Sequence, residues 1–109
     1  MSDDEFKIDV EREPGVARVR PAGELDMATV AQLDRQLSEL RAAGMGRVVL
    51  DLRGLTFMDS TGLSVLLRWA RDAAQDGFDF GVVRTDGPVN RLFELAGVEH
   101  HLPFVEPEG

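Results

Sequence analysis

Val49-Leu50-Asp51-Leu52-Arg53-Gly54-Leu55-Thr56-Phe57-Met58-Asp59-Ser60-Thr61-Gly62-Leu63 is the stretch on which the fold turns. Val48 to Leu52 is a short run of Val, Val, Leu, Asp, Leu, the pattern of a strand buried between layers. From Leu63 the period changes. Leu63, Leu66, Leu67, Ala70, Ala73 and Ala74 recur at helical spacing as far as Asp76, and Gly77 ends the run. A buried strand, a loop from Arg53 to Gly62 and then a helix imply a parallel sheet. The loop then lies at the carboxyl end of a strand, where open α/β sheets receive ligands and partners.

The rest of the chain extends this pattern. Phe6, Ile8 and Val10 alternate with charged residues, Pro14-Gly15 supplies a turn, and Val16, Ala17 and Val19 begin a second strand, which predicts an antiparallel hairpin. Pro21 lacks an N–H and is expected near that strand's end or at an unpaired edge. Val30, Leu33, Leu37 and Leu40 predict a helix, with Thr29 and Gln32 spaced as a capping box. Phe78 to Val83 reads as a strand, Pro88 opens a third helix that Gly97 closes, and Leu102 to Val105 reads as a last short strand. The expected order is β-β-α-β-α-β-α-β, an α/β fold with one central mixed sheet and three or four helices. Residues 1–109 form one domain with its core over about 6–105; the acidic amino terminus and the polar tail from Glu106 are expected to be flexible.

Composition narrows the function. The 109 residues carry 12 Lys+Arg against 20 Asp+Glu, a net charge of −8, which disfavours direct binding to nucleic acid or anionic lipid. There is no cysteine, so disulfides and thiolate chemistry are excluded. Met1-Ser2-Asp3-Asp4-Glu5 lacks the basic region of a secretory signal, and no apolar run approaches the roughly 20 residues of a membrane span. The expected location is the cytoplasm.

By local chemistry, Asp59, Ser60 and Thr61 all suit the cap of the helix that follows, and Ser60 reads first as that cap. Gly62 in the first turn is unfavourable by about 1 kcal/mol relative to alanine, and its missing side chain leaves room for a close approach. A hydrolase using Ser60 as nucleophile lacks the Gly-x-Ser-x-Gly elbow and has only His100 and His101 as candidate bases. Those two histidines, adjacent on a strand, would point to opposite faces and so read as surface residues. Trp69 is open to two readings: burial in the core, or half exposure where a partner could touch it.

Three segments in order carry a family resemblance. Val49-Leu50-Asp51-Leu52 with Phe57-Met58-Asp59-Ser60-Thr61-Gly62-Leu63, the loop Gly23-Glu24-Leu25-Asp26, and Val89-Asn90-Arg91-Leu92-Phe93-Glu94-Leu95-Ala96-Gly97 together resemble the STAS domains of bacterial anti-sigma-factor antagonists. The resemblance runs from about Phe6 to Val105. Such proteins often carry a further short helix after the last strand, whereas this sequence ends at Gly109.

The resemblance implies a switch. The unphosphorylated antagonist binds an anti-sigma factor that is also a serine kinase of the GHKL type, freeing the sigma factor. Phosphorylation of Ser60, with Thr61 as a secondary candidate, ends the binding, and a PP2C-type phosphatase resets it. Glu24, Asp26, Met58, Asp59, Ser60, Thr61 and Gly62 are the implied partner-binding residues. No catalysis, cofactor or metal is expected of the chain itself. A STAS scaffold of the stressosome kind, or a lipid- or anion-transport accessory, would share the same motifs. The helix N-terminus is expected to receive the phosphate on its open N–H groups, leaving the fold undisturbed.

Overall fold

A computed structural model describes residues 5–107. Strands β1 (Lys7–Glu13) and β2 (Val16–Leu25) form the expected hairpin, with Lys7 opposite Ala22 and Glu13 opposite Val16. Helix α1 (Val30–Ala42) and strand β3 (Arg47–Asp51) follow, then a 3-10 turn (Leu52–Gly54) and strand β4 (Leu55–Met58). Helix α2 (Ser60–Asp76), strand β5 (Asp79–Val83), helix α3 (Pro88–Ala96) and a second 3-10 turn (Glu99–His101) complete the order. The sheet runs β1-β2-β3-β5, with β4 paired to β2. The two terminal stretches expected to be flexible lie, for residues 1–4 and 108–109, outside the described residues.

All three helices feed one core. Leu33, Leu37 and Leu40 of α1, Leu66, Trp69 and Ala73 of α2, and Val89 and Phe93 of α3 cluster with Ala17, Val19, Val48, Leu50, Phe80 and Val82 of the sheet. Because side chains alternate along a strand, the opposite face carries Arg18, Arg20, Val49, Asp51 and Val83. Trp69 belongs to the core: its ring meets Phe78 edge-on at 6.0 Å, and its Nε1–H donates to Asp34 Oδ1 at 2.8 Å, tying α2 to α1.

Four expectations need correction. The loop from Arg53 to Gly62 contains β4, which runs parallel to the end of β2, with Glu24 beside Phe57 and Leu25 beside Met58. The last strand is absent among the described residues: Leu102 to Val105 contributes a single bridge, Val82 to Phe104, because Pro103 has no N–H to continue a ladder. His100 and His101 are therefore on a 3-10 turn, both exposed. Thr29 makes no side-chain cap, since its hydroxyl donates instead to Glu24 O at 2.8 Å and accepts from the Asp26 N–H at 3.0 Å. Pro21 sits inside β2, opposite Ile8, in the stretch that neither β3 nor β4 pairs, so no parallel-ladder bond is lost there.

The path from β3 to β4 is fixed by three residues. Asp51 is buried, and Arg53 donates to it from N at 3.1 Å, Nε at 3.0 Å and Nη2 at 2.7 Å. Burial pushes the Asp51 carboxyl up, but the Arg53 hydrogen bonds and the charges of Arg53 and Arg20 outweigh it and hold it below the usual carboxylate range. Gly54 then lies so close to β2 that a Cβ there would stand 2.9 Å from Pro21 O, a backbone atom that cannot step aside. The 3-10 turn thus presses on β2 and delivers β4 beside Glu24 and Leu25.

Candidate functional site

Two loops meet at the carboxyl ends of β2 and β4. The Asp59 N–H donates to Leu25 O at 3.2 Å, and Thr56 Oγ1 donates to Gly23 O at 3.2 Å, so the Gly23–Ala28 loop and the α2 entrance form one surface. Within the first loop the Asp26 carboxylate accepts from the Ala28 N–H at 2.9 Å, and Asp26 O accepts from the Thr29 and Val30 N–H groups. Asp26 is thus half-buried and shapes its own loop, while Glu24 is exposed.

The helix cap is Asp59, and Ser60 is the first helical residue. Asp59 Oδ1 accepts from the Thr61 N–H at 2.9 Å and the Gly62 N–H at 3.2 Å. Partial desolvation raises the Asp59 pKa, but hydrogen bonds from Gly62, from the Thr61 hydroxyl and N–H, and from the Met27 N–H outweigh it, and the carboxyl stays below its ordinary value. Ser60 is exposed, and among the described residues nothing engages its hydroxyl. This corrects the reading of Ser60 as the cap, and also the expectation of open N–H groups: Asp59 already fills those of Thr61 and Gly62.

A depressed folded pKa means that the Asp59 cap stabilises above the unfolded carboxylate pKa, and that this stability is lost as pH falls through the folded value. Asp59→Ala should therefore destabilise the protein by about 1 kcal/mol at neutral pH. The gap to the parent should close below about pH 4. Paired thermal melts at both pH values check this; a gap that persists in acid would show that the carboxylate is not the cap.

Gly62 has an internal use. A Cβ there would come 2.9 Å from Met58 Cγ and 3.0 Å from Leu25 Cγ, so the helix lies directly on the β2–β4 pair. Met58 and Gly62 are both buried, and they support the surface from below. Two residues that the sequence reading passed over stand out instead. Met27 is 76% exposed and Phe57 is 43% exposed, one on each loop. An apolar residue at a polar loop tip was the available sign for Met27, whereas the four residues of β4 carry no pattern that marks Phe57 as outward-facing.

The arrangement is an exposed hydroxyl at a helix entrance, flanked by two apolar side chains and by the carboxylates of Glu24, Asp26 and Asp59. A family model described as "Mlab, STAS domain" matches residues 8–106 of this chain. The chain belongs to the STAS domain family. The anti-sigma F factor antagonist of Paenibacillus polymyxa is 34% identical to this STAS domain over 104 residues, covering 94% of this chain and 89% of that protein. An anti-sigma-B factor antagonist of Staphylococcus aureus is 30% identical over 81 residues, 74% of this chain and 75% of its own. Among solved structures, an anti-sigma factor antagonist from Mycobacterium paratuberculosis superposes with a TM-score of 0.77 at 28% identity, covering 98% of this chain and 90% of the other. Among the described residues of this STAS domain, no helix is long and apolar enough to cross a membrane.

Proposed function

We propose that this STAS domain is an anti-sigma-factor antagonist: its unphosphorylated form binds an anti-sigma factor, and phosphorylation of Ser60 ends that binding. One observation carries the reading. Asp59 takes over the capping of α2, which leaves Ser60 exposed and its hydroxyl unengaged among the described residues. The names of the relatives favour an antagonist over a scaffold or transport accessory, which the STAS match alone would fit equally.

The partner is a serine kinase of the GHKL type that transfers the γ-phosphoryl of ATP to Ser60 Oγ, releasing ADP and a proton. A PP2C-type phosphatase hydrolyses the phosphoserine. The domain is cytoplasmic and catalyses nothing itself. Glu24, Asp26 and Thr61, with Met27 and Phe57, make up the contact surface, and Met58, Asp59 and Gly62 hold it in shape. With the Thr61 and Gly62 N–H groups occupied, a phosphate on Ser60 stays outward and adds about −1.5 to −2 charges to an already acidic surface. The partner then meets both bulk and repulsion.

Incubation with ATP and purified candidate anti-sigma-factor kinases, followed by intact mass and site mapping, tests this. The expected result is one phosphate on Ser60, with Ser60→Ala remaining bound to the kinase in the presence of ATP. Modification elsewhere, or release of Ser60→Ala under the same conditions, would contradict it.

A further inference from the structure

The outer face of α2 starts at Ser60 and continues as Ser64, Leu67, Arg71 and Ala74, residues spaced four, three, four and three along one side of the helix. With Val98 and His101 from the segment after α3, this face walls an open groove of about 660 Å3. Leu67, Ala70, Ala74 and Val98 give it an apolar lining, with Arg71, His101 and Arg68 beside them, the last already paired with Asp34 of α1 at 2.5 Å. On the open face of the sheet, Arg20 and Arg53 are held by Glu11 at 3.1 Å and Asp51 at 2.7 Å. Arg71, by contrast, is 64% exposed, and among the described residues its one ion-pair partner is its neighbour Asp72, at 3.8 Å. In a chain of net charge −8, the groove thus sets the exposed Arg71 guanidinium beside apolar surface.

We propose that this groove docks an acidic amphipathic helix of the anti-sigma partner. The helix would set its apolar stripe on Leu67, Ala74 and Val98 and a carboxylate against Arg71. The proposal rests on the antagonist reading and extends the contact along α2, away from Ser60. Helical phase makes Ser60 and the groove one continuous face, so a segment lying over Ser60 enters the groove without a bend. Charge selects the occupant: an acidic segment gains from Arg71, whereas a basic one is repelled there. Another copy of this acidic chain meets long-range repulsion instead.

The test is calorimetric titration with the purified anti-sigma-factor kinase that modifies Ser60. Arg71→Glu combined with Ala74→Glu alters two exposed positions and should weaken binding by at least about tenfold. Arg35→Glu, an exposed charge reversal on α1, should change it by less than about threefold. Arg71→Ala, milder still for the fold, should give an intermediate loss. A groove double variant that binds within about twofold of the parent overturns the proposal. So does a parent chain that sediments as a dimer, if the double variant makes it a monomer. If Ser60→Glu loses binding while the groove variant does not, the groove fails and the antagonist reading stands. If Ser60→Glu binds as the parent does while the groove variant loses binding, the reading fails and the groove stands.

Discussion

Phe93→Ala should lower the unfolding free energy by about 3–5 kcal/mol. Phe93 is fully buried, the largest of the side chains with no exposed surface, and its ring lies 5.8 Å from that of Phe104. Truncation would remove the contact that fastens both α3 and the terminal segment to the sheet. Total stability of a domain this size is about 5–15 kcal/mol, so the variant would stand near the unfolding threshold at 37 °C. The effect should reach the functional surface, because α3 packs against β4, and β4 carries Phe57 and Met58. Phe93→Leu, which leaves a smaller cavity, should lose less than half as much. Urea unfolding of the three proteins decides it: a Phe93→Ala midpoint equal to the parent's would show that α3 is peripheral.

The second large effect is on binding. Met27 and Phe57 are large apolar side chains standing in water, one on each loop beside Ser60. Replacing both by alanine should leave stability within about 1 kcal/mol, since exposed side chains contribute little to the fold. Affinity for the anti-sigma partner should nevertheless fall by about 2–4 kcal/mol, the range of apolar anchors at the centre of an interface. That is roughly a 30- to 1,000-fold rise in Kd. Glu24, at the rim of the same surface, should matter less to affinity and more to association rate and salt dependence. A double variant with unchanged Kd would move the interface away from this corner.

Much of this architecture is legible in the sequence, and each miss has its own physical cause. Long periodic segments such as α1 and α2, and the Pro88 and Gly97 limits of α3, follow from spacing and end residues. β4 does not: it has four residues, and Leu55 and Met58, its two buried positions, are three apart, so no alternation shows. The apolar run Leu102 to Val105 gives the opposite error, because an apolar pattern does not reveal that Pro103 breaks the ladder. At Thr29, the capping-box spacing is present, but a tertiary acceptor, Glu24 O, captures the hydroxyl.

The site divides in the same way. Gly23-Glu24-Leu25-Asp26 and Asp59-Ser60-Thr61-Gly62 were visible as motifs, but the division of labour within them was not. Which of three adjacent capping residues caps the helix depends on backbone direction at Asp59, whose φ of −102° and ψ of −175° aim its carboxylate at the helix. Gly62 illustrates the limit: its sequence says that something comes close, and only packing shows that Leu25 and Met58 are what comes close.

Under the function proposed above, Ser60 acts as a switch on the surface and not in the fold. Phosphoserine installed at position 60, with denaturant unfolding and partner titration run on the same sample, tests that claim most directly. The phosphorylated and unphosphorylated proteins should have unfolding free energies within about 1 kcal/mol of each other, since a dianion near a helix N-terminus is mildly favourable. Affinity for the anti-sigma factor should fall by about 100-fold or more, close to 3 kcal/mol. Undiminished binding of the phosphorylated protein, or a loss of stability as large as the loss of binding, would contradict it.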